Sequence, residues 1–270
     1  MVVLALDSTS RTGSVAVLRA DTVLAERIGD PDVPHGRRLP GDVLAALDAA
    51  DVPLARVELF AVASGPGAFT GLRIGIATIQ GLAFAHGRPV AAVSALEAAA
   101  HAALAHPRAA IGTLVAVWMD AARGEVFSAL YEVTAGVRVA FPSSGGDAVQ
   151  EVEDGQPRAS RLADIDGPSV ATPDATLSAW RARIDRRPVI FIGEGAATYS
   201  ERIAAALGDE ALIVVTPPLA STLGRLAIER ARAGHAGPPH AVRPLYVRRP
   251  DAEIAREQRT VAGPVRSDVR

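Results

Sequence analysis

The chain contains no lysine, and all 28 of its basic residues are arginines. This excludes Schiff-base chemistry, a lysine general base, and a phosphate-binding loop that ends in Gly-Lys followed by Ser or Thr. Cysteine is also absent. Disulfides, thiolate catalysis and cysteine-ligated zinc or iron–sulfur sites are therefore excluded, and the composition fits a cytosolic protein.

Long uncharged runs are missing as well. No uncharged stretch reaches membrane-spanning length, and no basic segment precedes an apolar stretch at the N-terminus. We therefore expect a cytoplasmic protein that does not contact a membrane. The net charge is −2, so non-specific attraction to nucleic acid should be weak. We expect contact with RNA to be indirect, through a partner that supplies the positive field.

Residues 65–73 form the most informative motif, Gly-Pro-Gly-Ala-Phe-Thr-Gly-Leu-Arg. A short buried strand is predicted before it, over 57–62, and a helix after it, to about Ala85. Gly65 and Gly67 permit backbone angles that a side chain would forbid, and Thr70 is suited to cap the helix. The loop either holds a phosphate or another anion at the helix N-terminus, or is a tight turn into a packed helix.

The chain of 270 residues has room for two lobes. Three early strands joined by short turns must be antiparallel neighbours, and strand–helix units follow them. Ser94 and Glu97 form a capping box at a later helix start. A second antiparallel set and a helix–strand series repeat the arrangement, which indicates two α/β lobes related by duplication. The predicted helices and strands are strands 2–6, 13–18 and 22–27, helix 39–50, strand 57–62, helix 72–85, strand 89–93, a helix from 94, strands 113–119, 125–133 and 137–141, and the closing series 175–184, 188–192, 196–207, 212–215 and 221–233.

These elements predict an N-terminal lobe over 1–108 and a C-terminal lobe over 109–247. Two segments fall outside the pattern. Residues 142–167 are rich in Ser, Gly, Asp and Pro and are predicted to be a loop insertion. Residues 248–270 are polar and arginine-rich without periodicity, which predicts a mobile tail.

Several motifs together resemble one family, the TsaB (YeaZ) subunit of the bacterial machinery that modifies the adenosine beside the tRNA anticodon with threonylcarbamoyl. The motifs lie at residues 4–10 with 14–17, 65–73, 119–127, 191–195 and 244–252. The resemblance extends from Val2 to about Ala252. It implies an α/β, two-lobed actin/hexokinase/Hsp70-like (ASKHA) fold with duplicated mixed-sheet lobes. The 142–167 insertion and the extended tail depart from the family pattern.

The family has a catalytic sister, TsaD, whose members carry His-x-x-x-His on the helix after the strand that matches 89–93. Positions i and i+4 share a helix face, so such histidines can bind a catalytic metal. Here those positions are Ala95 and Ala99. We therefore expect no metal site and no catalytic residues. His101 and His106 are five residues apart and lie on different sides of a helix, and His35 is expected to be solvated.

Asp7 is the best candidate for residual chemistry. The resemblance suggests that it faces nucleotide phosphates through a metal ion, whereas the simpler interpretation is that it caps the turn over residues 8–11. Asp120, Arg123 and Glu125 are expected to form an ion pair or a turn. No cofactor of its own is expected, and ATP or ADP would bind at a complex interface. The candidate nucleotide-binding residues are Asp7, Ser8, Thr9, Gly65, Gly67, Gly193 and Gly195.

The helix that follows Gly71 is apolar nearly all round, so it needs cover on more than one side. It is either an ordinary buried helix or part of an interface. In TsaB-like proteins this helix and the 39–50 helix contact a second copy or TsaD, so homodimer and heterodimer should compete. The interface residues that the resemblance implies are Leu39, Val43, Leu44, Leu47, Leu72, Ile76, Ile79 and Gln80.

The sequence thus predicts a non-catalytic scaffold subunit, without enzyme activity alone, that supports TsaD in moving threonylcarbamoyl from its adenylate to tRNA. The implied partners are a TsaD-like subunit, a TsaE-like ATPase in the complex, and a second copy when the chain is alone. The alternative is a nucleotide-dependent acyl- or phosphotransferase of the same fold acting by itself through Asp7 and the glycine loop. A nucleotide sensor without a part in transfer is a third hypothesis.

Overall fold

A computed structural model describes residues 1–135 and 160–248 and contains two five-stranded mixed sheets. The first sheet has the order β3-β2-β1-β4-β5 and the second β10-β9-β6-β7-β8. In each sheet the first three strands along the chain are antiparallel neighbours, and the last two run parallel to the first. The strands are β1 Val2–Asp7, β2 Ser14–Arg19, β3 Thr22–Ile28, β4 Leu59–Gly65, β5 Val90–Ser94, β6 Leu114–Asp120, β7 Val126–Ala135, β8 Ser160–Ala171, β9 Val189–Ile192 and β10 Ala211–Val214.

The matching order and direction of the strands confirm the predicted duplication and the two-lobed α/β fold class. Seven α-helices connect and cover the two sheets in the described part of the chain. They are α1 His35–Ala49, α2 Phe69–Ala85, α3 Ala95–Ala103, α4 Pro173–Ile184, α5 Glu194–Thr198, α6 Ser200–Leu207 and α7 Ala220–Arg232. None of the helices in these residues combines the length and the apolar character needed to cross a membrane.

Alternating side chains of each buried strand enter two different cores. Helices α1 and α2 cover the outer face of the first sheet, against Leu4 and Phe60. Helices α3 and α7 lie between the sheets in a central core that takes residues from both. Helices α4, α5 and α6 cover the outer face of the second sheet, around Trp118. Both lobes therefore share one apolar core.

Helix α7 differs from the sequence-based division into lobes. It was assigned to the C-terminal lobe, 109–247, but it packs on the first sheet. Leu223 and Ala227 are buried in the same cluster as Val3, and Gly224 brings the helix backbone close to Leu18. Periodicity identifies the helix but does not show which sheet its apolar face will cover.

The prediction for 142–167 is partly wrong. Residues 136–159 lie outside the described residues, together with the predicted strand 137–141 and the tail beyond Arg248. Residues 160–167, however, belong to β8, which pairs with β7. Register shifts opposite Ser128 and Leu130 accommodate Gly167 and Pro168, the kind of residues that predict a loop.

Two predicted helix starts have different outcomes. The Ser94 hydroxyl accepts a hydrogen bond from the Glu97 amide at 3.5 Å, which confirms the cap of α3. The Thr70 cap is wrong, because α2 already begins at Phe69 and its N-cap residue, Ala68, makes no side-chain cap bond. The predicted helix 196–207 is divided at Tyr199 into α5 and α6.

Candidate functional site

The glycines of the 65–73 motif pack closely against the turn that connects β1 and β2 of the same chain. A Cβ atom on Gly67 would lie 2.6 Å from the Thr9 carbonyl oxygen, and one on Gly71 would lie 2.5 Å from the Ser8 carbonyl oxygen. A Cβ on Gly75 would lie 2.0 Å from the Ser8 hydroxyl. These glycines are therefore required by close packing. The geometry favours the packed-helix interpretation of the loop over the anion-binding one.

Asp7 ends β1 at the start of this turn and is almost fully buried. Its Oδ1 accepts hydrogen bonds from the Thr9 amide at 2.9 Å and from the Thr9 hydroxyl at 2.6 Å. Burial raises the pKa of the Asp7 carboxyl, although the two bonds from Thr9 act in the opposite direction. Asp7 thus has the turn-capping geometry that the sequence offered as the simpler interpretation.

Helix α1 holds the same turn from the other side. The His35 Nε2 atom lies 2.9 Å from the Ser10 carbonyl oxygen, and the buried Arg38 donates to the Thr12 carbonyl. Arg38 also pairs with Asp42 at 2.5 Å. The expectation that His35 is solvated was wrong, because it packs between the turn and α2. Sequence reasoning missed Arg38, although Arg38 and Asp42 at i,i+4 are a recognisable helix pair.

A cavity of about 160 Å³ lies next to this turn, between the two sheets. It is smaller than the roughly 300–1,000 Å³ typical of ligand pockets. Asp7, Gly193 and Glu194 line it, together with Ser10, Thr12, Gly13, Ser14, Ile28, Ala99, Met119, Thr216, Pro217, Pro218 and Leu219. The sequence indicated the Gly193-Glu194-Gly195 motif either as an approach to an adenosine or as a βα turn, and Gly193 and Glu194 of this motif line the cavity.

Glu194 makes the cavity acidic. Burial raises the pKa of its carboxyl, and the nearby Asp7 and Asp120 raise it further. Within residues 1–135 and 160–248, no group of three His, Asp or Glu side chains could hold a metal ion. Asp7 and Glu194 thus line the same small cavity, and the pKa of each carboxyl is raised.

The candidate nucleotide residues do not all meet at this cavity. Asp7 and Gly193 line it, and the Gly193 amide donates to the Thr216 hydroxyl at 2.8 Å. Gly65 lies against the Leu245 carbonyl, and Gly195 packs on the Trp118 carbonyl. Gly67 and Thr9 contact each other, and the buried Ser8 hydroxyl has no hydrogen-bond partner.

Helix α3 carries Ala95 and Ala99, both buried in the central core. His101 is half-buried, and its pKa is lowered by burial and then by the charge of Arg230. His106 Nδ1 instead accepts from the Arg108 amide at 3.2 Å. The two histidines have separate surroundings, as their spacing predicts.

The β6–β7 junction contains the predicted turn. Asp120 Oδ1 accepts from the Ala122 amide at 2.9 Å. Glu125 forms an ion pair with Arg248, a residue that had been assigned to the mobile tail. Arg123 lies in the same turn in the left-handed backbone region.

Most of the predicted interface residues are buried in the monomer's own core. They form one cluster with the outer face of the first sheet, because α1 and α2 use their apolar sides to cover that sheet. The buried residues are Leu39, Val43, Leu47, Leu72, Ile76 and Ile79. Gln80 is half-buried and donates to the Pro239 carbonyl at 2.9 Å. Among the eight residues, Leu44 alone is exposed, with 57% of its surface accessible.

Another set of apolar residues faces outward from the same two helices. Phe84 of α2 is 82% exposed, and Ala77 and Gly81 of α2 are exposed as well. No heavy atom lies within 4 Å of the Cβ position of Gly81. We call Leu44, Ala77, Gly81 and Phe84 the outer helix surface. It is apolar and directed away from the first sheet.

We expect two substitutions of Asp7 to distinguish the effect of its hydrogen bonds on stability from the effect of its charge. A carboxyl whose pKa is raised by folding favours the folded state below its unfolded pKa and loses that contribution as the pH rises through the folded pKa. Asp7→Asn keeps an acceptor for Thr9 and cannot ionise, so its melting temperature should fall less between about pH 4 and pH 7 than that of the wild type. Asp7→Ala loses the acceptor and should unfold about 1–3 kcal/mol more easily.

Thermal melts of both variants across this pH range provide the measurement. A parallel pH dependence in Asp7→Asn and the wild type would show that Asp7 ionises equally easily in the folded and unfolded chains. Glu194→Gln is the matched control, since its carboxyl is also raised in pKa but makes no bond to Thr9. It should reduce the loss of stability at neutral pH without the cost seen in Asp7→Ala.

The duplicated sheets, the shared core and the interlobe cavity define a two-lobed α/β protein of the ASKHA class. The model of the family described as TsaD, tRNA N6-adenosine threonylcarbamoyltransferase, matches residues 32–256. The TsaB biosynthesis protein of Bacillus subtilis is 29% identical over 94% of this chain and 96% of its own length. An uncharacterized Mycobacterium tuberculosis protein is 31% identical over 93% of both chains.

Solved structures agree. YeaZ from Pseudomonas aeruginosa superposes with a TM-score of 0.66 at 29% identity, over 91% of this chain and 99% of that one. The chain therefore belongs to the TsaB (YeaZ) family, within the wider TsaD family, whose members take part in the biosynthesis of threonylcarbamoyladenosine in tRNA.

Proposed function

We propose that this chain is a non-catalytic subunit that supports a TsaD-like subunit in the transfer of threonylcarbamoyl from its adenylate to the adenosine beside the tRNA anticodon. The observation that carries this proposal is the pair Ala95 and Ala99 on α3. In TsaD-like proteins these two positions carry the histidines that bind the catalytic metal. Here both are alanines, and both are buried in the central core. Alanine has no atom that could bind a metal or move a proton.

The outer helix surface is the proposed contact with the TsaD-like subunit. Its exposed Leu44 and Phe84 are large apolar side chains, and exposed apolar patches of this kind mark interaction sites. A second copy would use the same surface when the chain is alone, so the two associations would compete. We further propose a cytoplasmic complex in which a TsaE-like ATPase takes part and ATP or ADP binds at the interface with the partner.

Reconstitution tests the proposal. The purified chain should show no threonylcarbamoyl transfer and negligible ATP turnover by itself, and should restore transfer when it is added to the TsaD-like subunit, the TsaE-like ATPase, the adenylate and tRNA. Incorporation of labelled threonine into tRNA provides the measurement. Asp7→Asn should support transfer as well as the wild type, because the reaction does not use Asp7 chemically.

One observation favours the alternative, an acyl- or phosphotransferase acting alone: Asp7 and Glu194 line the same cavity. A pair of carboxyls with raised pKa is a common arrangement for acid–base chemistry. Turnover by the isolated chain that disappears in Asp7→Asn and in Glu194→Gln, while both variants remain folded, would contradict the scaffold role and support this enzyme.

A further inference from the structure

Residues 244–248, which we call the C-terminal strap, are fastened to both sheets. The Leu245 amide donates to the carbonyl of Ser64, in β4, at 2.7 Å. Three residues after Leu245, Arg248 donates to the carbonyl of Ala121, which follows β6, at 2.7 Å and forms its ion pair with Glu125. Tyr246 lies between these two attachments. The position of Tyr246 is therefore fixed before any ligand binds.

Tyr246 builds a surface cluster with the start of α2. Its ring stacks on that of Phe69, with 5.6 Å between centroids and 30° between planes. The Arg73 guanidinium lies 4.1 Å from the Phe69 centroid, and its Nε donates to the Tyr246 hydroxyl at 2.8 Å. We call Phe69, Arg73 and Tyr246 the aromatic–arginine cluster. Phe69 is still 47% exposed and Tyr246 39% exposed, so ring surface stays accessible to a ligand.

Two arginines carry positive charge, one in the cluster and one just before it in the chain. In the described part of the chain, Arg73 contacts the two rings and the Tyr246 hydroxyl and forms no ion pair with a carboxylate. The exposed Arg243, three residues before Tyr246, donates to the carbonyls of His240 and Val242. Neither bond neutralises its charge. The overall net charge of −2 therefore does not describe this part of the surface.

We propose that the aromatic–arginine cluster is a stacking site for an unpaired base of single-stranded RNA. Exposed aromatic rings next to arginines are the usual platform for such binding, because every base has a π-face and the guanidinium attracts the adjoining phosphate. The family's part in tRNA modification makes RNA the polymer that this surface would meet. The proposal does not depend on the scaffold role, since it concerns direct contact between RNA and this chain.

Fluorescence anisotropy with a labelled oligoadenylate at low salt tests the proposal on the full chain. Phe69→Ala and Tyr246→Ala should each weaken binding about tenfold, the loss expected for one base–aromatic stack. Tyr246→Phe should bind nearly as well as the wild type, because it keeps the ring and loses only the hydroxyl. Duplex RNA of the same length should bind more weakly than the single strand.

Ile111→Ala is the control, since Ile111 is a large apolar residue, 65% exposed, that belongs to neither proposed surface. It should leave RNA binding unchanged. Equal weakening by Ile111→Ala and Phe69→Ala, or no binding of oligoadenylate by the wild type, would overturn the proposal. So would loss of TsaD-like partner binding in Phe69→Ala with RNA binding intact, which would make the cluster a protein contact. If Tyr246→Ala fails to fold, the half-exposed Phe69 decides the test.

Discussion

Ile76→Asp is expected to prevent the chain from folding. Ile76 is only 5% exposed and packs with the outer face of the first sheet in the α1–α2 core. A carboxylate at this position would be buried without a partner, at a cost of several kcal/mol. That is a large part of the roughly 5–15 kcal/mol by which a native domain is stable. Soluble yield and circular dichroism melts provide the measurement.

Ala77→Asp is the matched control for this substitution. Ala77 is the next residue of the same helix but faces outward, so its carboxylate stays in water and the melt should resemble that of the wild type. A folded Ile76→Asp protein that melts within a few degrees of the wild type would show that Ile76 is not part of the monomer core. It would return Ile76 to the partner interface that the resemblance implies.

The burial of Ile76 shows what the apolar pattern of a helix can predict and what it cannot. An apolar helix predicts that something covers it, and α2 is covered here by α1 and the first sheet. The sequence could not distinguish cover by the chain's own sheet from cover by a partner, because both bury the same side chains. The same limit applies to α7, which was predicted as a helix over 221–233 without any indication that it would pack on the first sheet.

Short-range sequence patterns predicted more of the structure. The capping box at Ser94 was correct because all its atoms lie within one helical turn. The duplication was visible because the antiparallel strands and the strand–helix units repeat in order along the chain. Contacts between distant residues were not visible. Arg38 reaches a carbonyl 26 residues away, and nothing in the sequence around Thr12 indicates that pairing.

At the candidate site, too, local patterns were predictable and contacts between distant residues were not. The glycine motif was identified, and its residues do permit a close approach, but the approaching group is the backbone of Ser8 and Thr9. A glycine spacing shows that space is needed without showing what fills it. That Glu194 lines a cavity with Asp7 could not be predicted, because it depends on how the second sheet faces the first. The strap was seen only as a matching motif, and its attachment to both sheets depends on the fold.

Leu44→Asp and Phe84→Asp should each strongly weaken association with the TsaD-like subunit and with a second copy, while the free chain folds normally. Their side chains are 57% and 82% exposed, so a carboxylate at either position remains hydrated in the monomer. It would be desolvated without a partner in the complex, which typically weakens binding by about 2 kcal/mol or more, roughly 30-fold. Sedimentation velocity and titration calorimetry, with thermal melts of the same samples, provide the measurements.

Val215→Asp controls for the introduction of a carboxylate on an exposed apolar residue, since Val215 is 93% exposed and follows β10 of the second sheet. It should associate like the wild type. Variants of Leu44 and Phe84 that melt normally and still bind both partners would exclude the outer helix surface as the interface. Phe84→Asp also separates the two proposed surfaces of α2. It should strongly weaken binding of the protein partner and keep oligoadenylate binding, whereas Phe69→Ala should do the reverse, because the two residues occupy opposite ends of one helix.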